Sequence, residues 1–327
     1  MTHAIRIHSQ GGPEVLTWEA VSVPDPGPGD VRLTHTAVGL NYIDVYHRSG
    51  LYPVPALPCT LGMEAAGVVE AVGPAVTSLR EGDRVAYASP PLGAYTQARV
   101  IAAERVVKLP DAIGDETAAA MMLQGMTVEY LIRRTYPVQA GETVLLHAAA
   151  GGVGLIACQW LNALGATVIG TVGSDAKAEL AKAHGCHHTI VYTHEDIAAR
   201  VREITGGAGV PVVYDGVGKA TFMASLDSLK PLGLLALFGN ASGAVENFDT
   251  GLLSQKGSLY LTRPTLMTYT ASRDDLVESA NALFDVVTRG DVKIEVNQRY
   301  PLKDTAQAHR DLEARKTTGS TILLPEG

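Results

Sequence analysis

Cysteine is scarce in this chain: three residues in 327, Cys59, Cys158 and Cys186, with no C-x-x-C pair. Disulfide frameworks and four-cysteine zinc lobes are excluded, and a reduced, cytoplasmic setting is expected. Aromatic residues make up only 6%. No apolar run approaches the roughly 20 residues that span a bilayer. The opening residues, Thr2-His3-Ala4-Ile5-Arg6, lack the apolar core of a secretory leader. Basic residues are outnumbered, 26 Lys and Arg against 34 Asp and Glu, for a net charge of −8. That balance argues against broad, charge-driven binding to nucleic acid or acidic membranes. With 46% hydrophobic residues the composition is that of a globular protein, long enough for about two domains.

The stretch that organises the chain is Thr143–Leu155. An apolar run of strand length, Thr143–Ala150, leads into Gly151, Gly152 and Gly154. A helical pattern then opens with Leu155, Ile156, Trp160 and Leu161 on one face. Strand, glycine turn and helix in that order are what a dinucleotide pyrophosphate needs. The backbone can approach the phosphates, and the helix start offers unpaired N–H groups with a partial positive charge. The spacing Ala148-x-x-Gly151-x-x-Gly154 is not G-x-G-x-x-G, and glycines alone can also serve to pack a helix on a sheet. Their place at the head of a βα series favours the nucleotide cradle.

Before residue 124 the chain reads as short strands, such as Val31–Val38 and Gly67–Val72, separated by Gly/Pro turns. A partly closed β-barrel or sandwich is expected there. From 124 the grammar alternates. Strands are expected at Thr143–Ala150, Ala166–Val172, His188–Tyr192, Val210–Tyr214, Gly233–Phe238 and Ser258–Thr262. The intervening helices include Ala176–Ala183, one entered through a capping box at Thr193-x-x-Asp196, and one with Phe222, Leu226 and Leu229 on one face. Six strands alternating with helices predict a doubly wound parallel sheet. An amphipathic helix over Arg273–Arg289 and a β-like Ser320–Leu324 should return to the first domain and close it. The expected division is 1–123 plus 266–327 for the mostly β domain and 124–265 for the nucleotide domain.

The cofactor choice turns on Gly173. An acidic residue about 20 positions after the glycines marks NAD, because it grips the ribose 2′-hydroxyl. Glycine there removes the repulsion of a 2′-phosphate, and Ser174 and Lys177 follow as donors, Lys177 as a point charge. Tyr192 ends the third strand at the same edge. Asp175 argues for NAD, but its expected place is the first turn of the next helix, where an acid suits the dipole. NADP is favoured.

Several motifs together give a resemblance over essentially the whole length. They are Gly11-Gly12-Pro13-Glu14-Val15-Leu16, Gly39 to Pro53, Gly62-Met63-Glu64-Ala65-Ala66-Gly67, Gly82-Asp83-Arg84-Val85, His147 to Gly154, and Phe238-Gly239-Asn240. The chain resembles the medium-chain dehydrogenases/reductases, and within them the NADPH:quinone oxidoreductase (zeta-crystallin-like) family. The resemblance implies a GroES-like β domain into which a Rossmann domain is inserted, with the active site in the cleft between them. The zinc alcohol dehydrogenase branch carries cysteine, histidine and cysteine at positions matching Asn41, Met63 and Gln124. Amides and a thioether are poor zinc ligands, so no metal is expected.

By the same resemblance Asn41, Tyr42, Ile43 and Asp44 lie near the nicotinamide, and Tyr46 and Tyr52 at the rim of the substrate cleft. Asn41, Asp44, Tyr46 and Tyr52 form the catalytic set. Thr127 and Tyr130 meet the cofactor, and Gly152 and Val153 its pyrophosphate. Gly173, Ser174, Lys177 and Tyr192 surround the 2′-phosphate ribose. Phe238, Gly239, Asn240 and Arg263 line the nicotinamide side, with Arg315 nearby. The expected chemistry is hydride transfer from NADPH to a quinone, with no unique proton donor identified. The alternatives are reduction of an activated C=C bond in an enone or enoyl substrate, and an NADPH-binding crystallin or RNA-binding role. A homodimer through the Ser258–Thr262 sheet edge is implied by the family.

Overall fold

The computed structural model describes residues Thr2–Pro325, so Met1, Glu326 and Gly327 at the ends of the expected first domain lie outside the described residues. Two compact units result. One runs to Met126 and takes in Thr270–Thr288 and the chain from Ile294; the other is Thr127–Tyr269 with Arg289–Lys293.

The second unit is built on a six-stranded parallel sheet. Its order is His188–Val191, Thr167–Val172, Thr143–Leu146, Val210–Asp215, Leu229–Leu237, Tyr260–Thr262. Strand order reverses at Thr143–Leu146, and in open sheets of this kind the ligand lies outside the carboxyl ends at that reversal. The β-branched and Leu-rich strands are buried on both faces: Leu145, Ile169, Ile190, Val213 and Leu235 form the core with Val201, Phe222 and Leu226 from the covering helices.

Several expected boundaries move for local reasons. The first strand stops at Leu146 rather than Ala150, because the chain turns through Ala148 at φ 56°. The last strand starts at Tyr260, after Ser258 at φ 56°. The strand expected from Gly233 begins at Leu229, so Leu229 leaves the preceding helix, Phe222–Ser228. The capping box expected at Thr193 does not form. Asp196 caps the helix Ile197–Ile204 by accepting the Ala199 N–H at 2.8 Å, which puts the helix start three residues later.

In the first unit the strand Asp30–Leu40 is the hub. It pairs antiparallel with Glu64–Val72 along its length, with Ala98–Ala102 at one end and with Ser320–Leu324 at the other. Arg84–Ala88 and Val107–Lys108 extend the sheet on one side and Val296–Pro301 on the other. A three-stranded sheet, Thr17–Val21, Thr2–Ile7 and Cys59–Thr60, is bridged to Thr96 through Ala4. Ile5, Leu33, Val38, Leu61, Val85, Tyr95 and Leu323 close one apolar core between the sheets. The helix Tyr42–Ser49 leaves the end of the hub strand and carries four of the anticipated site residues, Tyr42, Ile43, Asp44 and Tyr46.

Candidate active site

In the first unit the site begins at Asn41, the N-cap of helix Tyr42–Ser49. Its side chain accepts the Asp44 N–H, and the Asp44 carboxyl accepts the Asn41 N–H at 2.9 Å. This reciprocal capping satisfies two of the unpaired donors of the first turn. The Asn41 amide has further partners. Its Nδ2 donates to Glu64 Oε2 at 2.5 Å, and its Oδ1 accepts from Gln124 Nε2 at 3.1 Å. Gln124 Oε1 in turn accepts from Ser320 Oγ at 2.8 Å, and Glu64 Oε1 accepts the Leu123 N–H at 2.8 Å. Every amide in this row has its orientation set by its neighbours.

A second row runs from Asp44. Tyr95 Oη donates to Asp44 Oδ2 at 2.8 Å and lies 3.1 Å from His309 Nε2. Arg48 Nη1 lies 3.2 Å from His309 Nδ1 and binds Glu313 with two 2.8 Å bonds. Arginine only donates, so Nδ1 accepts and the imidazole proton sits on Nε2, directed at Tyr95. Burial, then the Arg48 charge, lowers His309 to about 3, which keeps the ring neutral. Burial raises Asp44 to about 7 against the pull of its Asn41 and Tyr95 hydrogen bonds. Glu64 is raised to about 8, again chiefly by burial, with the Asp44 charge adding to it. Asp44 Oδ1 is buried without a hydrogen-bond partner among the described residues.

Three tyrosines stand beside these rows. Tyr46 packs against Tyr42 at 5.7 Å and Tyr52 at 5.1 Å between ring centroids. Arg315, at φ 57°, lowers the Tyr42 hydroxyl while burial and Glu313 raise it more. Of the anticipated first-unit residues, Asn41, Tyr42, Asp44, Tyr46, Tyr52 and Arg315 are therefore one neighbourhood. Ile43 lies in the same first turn.

In the second unit the glycine turn meets the demands of a dinucleotide. Gly151 precedes helix Gly152–Ala163 and offers no side-chain cap, so the first-turn N–H groups, including those of Gly152 and Val153, have no capping side chain. A Cβ on Gly154 would lie 2.3 Å from the Ala148 carbonyl oxygen, so only glycine permits this turn. Gly173 follows the second strand, and the Tyr192 ring reaches across it. Ser174 caps helix Asp175–Ala183 by accepting the Lys177 N–H at 3.4 Å, which leaves Asp175 in the first turn. Phe238, Gly239 and Asn240 pack against Gly216 and Gly218 at the ends of neighbouring strands. Tyr130 stacks on Tyr269 at 4.4 Å, bonds to Thr127 and feels the Arg263 charge, while burial holds its hydroxyl protonated. These residues fit a nicotinamide dinucleotide: an uncapped helix start for the pyrophosphate, and a strand end free of carboxylate for the adenosine ribose.

Glu64, Tyr95, His309, Arg48 and Ser320 were not anticipated as site residues. Glu64 stood in a quoted motif, but its partners Asn41 and Leu123 lie far away in sequence. Tyr95 and His309 carry no local signal at all. Among the described residues no group of three or more His, Cys, Asp or Glu side chains could hold a metal ion.

Two family models match the chain, the alcohol dehydrogenase GroES-like domain over residues 27–111 and the zinc-binding dehydrogenase domain over 152–283. A quinone oxidoreductase of Pseudomonas aeruginosa is 56% identical over 99% of this chain and 100% of its own length. The chain belongs to the quinone oxidoreductase family of the zinc-free medium-chain dehydrogenases/reductases. The crystal structure of Escherichia coli quinone oxidoreductase complexed with NADPH is 50% identical, covers 99% of this chain and 100% of that one, and superimposes with a TM-score of 0.98. A 2-haloacrylate reductase of Burkholderia is 47% identical over the full length of both chains. The two units are the GroES-like and Rossmann folds of this family.

Proposed function

We propose that this protein is an NADPH-dependent quinone reductase that passes hydride to a small-molecule quinone without a metal. The observation that carries this is full-length identity of 50% and above to quinone oxidoreductases, one of them solved with NADPH. The Rossmann domain, 124–265, would hold the cofactor. Gly152 and Val153 serve the pyrophosphate, Gly173, Ser174, Lys177 and Tyr192 the 2′-phosphate ribose, and Thr127, Tyr130, Phe238, Gly239, Asn240 and Arg263 the nicotinamide side. The GroES-like domain, 1–123 plus 266–327, would supply Asn41, Tyr42, Ile43, Asp44, Tyr46, Tyr52 and Arg315. When bound, NADPH supplies the hydride; this chain's residues orient the reactants and keep water out.

The protein's net charge of −8 supports a small-molecule partner over nucleic acid. No helix among the described residues is long and apolar enough to cross a membrane, and we place the protein in the cytoplasm. A homodimer through the sheet edge at Tyr260–Thr262 is supported by the position of that strand at the end of the sheet and by the 61% exposure of Tyr260. Light scattering tests it directly.

A second reading, reduction of an activated C=C bond, is favoured by the 2-haloacrylate reductase relative. Steady-state rates with NADPH and NADH on 1,4-benzoquinone and a simple enone separate the two. Preference for NADH, or failure to reduce any quinone, overturns the main reading.

A further inference from the structure

The carboxyl ends of three adjacent strands in the Rossmann unit are joined by a buried row of polar side chains. His147 directly follows strand Thr143–Leu146, and Thr171 lies one residue before the end of strand Thr167–Val172. Asp215 ends strand Val210–Asp215, and Ser225 sits on helix Phe222–Ser228. All four are buried. Thr171 Oγ1 lies 3.0 Å from His147 Nδ1, and His147 Nε2 lies 2.9 Å from Ser225 Oγ. Ser225 Oγ donates to Asp215 Oδ2 at 2.8 Å. Ser225 has one hydrogen and gives it to Asp215, so its lone pair accepts the His147 Nε2–H. Burial lowers His147 against the pull of the Asp215 charge and favours the neutral ring, whose Nδ1 accepts the Thr171 hydroxyl. Each member thus has one hydrogen-bonding direction.

Both ends of the row reach segments assigned above to NADPH. At one end the Ala149 N–H donates to Thr171 O at 3.0 Å, which draws the glycine turn against the strand leading to Gly173. At the other end Asp215 Oδ1 accepts the N–H groups of Val217 and Gly218 at 2.8 and 3.0 Å. The turn so held carries the loop 238–243. The Phe238 N–H donates to Asp215 O and the Ser242 N–H to Val217 O, each at 2.8 Å. A Cβ on Gly239 would lie 2.3 Å from Gly216 O, so turn and loop meet backbone to backbone. Backbone pairing of the two central strands ends with the His147 N–H on Tyr214 O at 3.0 Å, and the side-chain row takes over where it stops.

We propose that His147, with Thr171, Ser225 and Asp215, positions the NADPH cradle: the row fixes the spacing between the glycine turn and the loop 238–243, and so keeps the pyrophosphate and nicotinamide ends in register. This rests on the NADPH reading above and deepens it. The four are enclosed, which suits the role, because a hydrogen bond shielded from water is stiff and costly to leave unmade. They act through the backbone of 148–154 and 216–218 and are positioning residues. A cradle free to splay must be drawn together as the cofactor enters, and that cost appears as lost affinity.

The test compares wild type, Ser225→Ala, Thr171→Val, the double variant and Ser228→Ala. NADPH affinity is read by fluorescence titration well below each melting temperature. Ser225→Ala leaves the His147 Nε2–H without its acceptor, and Thr171→Val removes the partner on the other side with the shape kept. Ser228 is the control: its buried hydroxyl lies on the same helix but donates back to Ala224 O at 2.7 Å. Ser225→Ala and Thr171→Val should each raise the Kd for NADPH by about tenfold. Ser228→Ala should lower melting temperature and leave Kd unchanged. In turnover, KM for NADPH should rise with Kd, while KM for 1,4-benzoquinone and kcat at saturating NADPH hold. Both row variants act through one imidazole, so the double variant should lose less than the product of the two. Thr171→Val decides the matter if Ser225→Ala does not fold. Wild-type affinity in the row variants, an equal loss in Ser228→Ala, or losses that simply multiply overturn the proposal. These outcomes are read from binding and so stand apart from the reductase reading, which falls if the wild type binds NADPH yet reduces neither 1,4-benzoquinone nor an enone. A wild type that binds no NADPH overturns both.

Discussion

The Tyr192 hydroxyl occupies the space a side chain on residue 173 would need: a Cβ there would lie 2.7 Å from Tyr192 Oη. Gly173 thus does two things at once, clearing a carboxylate from the strand end and letting the ring lie across it. Gly173→Asp should displace Tyr192 and set a negative charge against the 2′-phosphate. The ratio of kcat/KM for NADPH over NADH should fall at least about tenfold, or about 1.4 kcal/mol. Unchanged preference would sink this account of the pocket. Lys177→Ala should raise KM for NADPH by about tenfold, the loss of one charge-assisted bond, and leave NADH unaffected.

The glycine turn makes a sharper demand. A Cβ on Gly154 would meet the carbonyl oxygens of Ala148 and Ala149 at 2.3 and 2.6 Å, and backbone cannot swing aside as a side-chain tip can. Gly154→Ala should destabilise the protein by about 1–3 kcal/mol and weaken NADPH binding. Gly29→Ala, with nothing within 4 Å of the added carbon, is the control and should leave both unchanged. Chemical denaturation with and without NADPH reads both effects.

Stability should depend on pH in a direction set by two buried acids. Asp44 and Glu64 are raised to about 7 and about 8, above their values of 3.8 and 4.5 when exposed in the unfolded chain. Their protonated forms are favoured by folding, so this contribution is complete below pH 4 and is lost as pH rises through 7 and 8. His309 acts oppositely: held near 3 instead of 6.5, it costs stability as pH falls below 6.5. One histidine offsets only one of the two acids, so on these groups melting temperature should fall as pH rises from about 4.5 to about 8, and should fall again below about pH 4. Asp44→Asn should flatten the alkaline decline; an unaltered slope would show that Asp44 does not titrate there.

Chelation should be harmless. By the family resemblance Asn41 and Gln124 match zinc-ligand positions of the zinc alcohol dehydrogenases, and their amides are engaged with each other, with Glu64 and with Ser320. Quinone reduction should survive prolonged EDTA treatment at full rate, and loss of turnover would contradict this arrangement.

The parallel sheet was legible in advance because its signals are local. Runs such as Val210–Tyr214 and the glycines at 151, 152 and 154 announce strand and turn without reference to distant residues. Element edges were less so. Ala148 and Ser258 adopt left-handed backbone that nothing in their side chains requires, and Leu229 satisfies both a helical face and the strand it starts. The cap at Asp196 was misassigned to Thr193 because both residues are good caps and only the folded chain chooses. Asn41 and Asp44 entered the expected set through the family resemblance of their motif, whereas Tyr95 and His309, which the structure brings against Asp44 and one another, did not. Their contacts with Asp44 are made by the tertiary fold, and a tyrosine before a strand or a histidine in a helix looks the same with or without them.

The last strand, Ser320–Leu324, completes the sheet begun by Asp30–Leu40 near the other end of the chain. During synthesis the opening hundred residues emerge with a hub strand whose edge partner has not yet been made. The inserted Rossmann unit takes its six strands from one uninterrupted stretch and can assemble while translation is still under way. Removal of residues 320–324 would consequently damage the earliest-made part of the molecule, because the hub strand gains this partner only after the whole Rossmann unit has been synthesised.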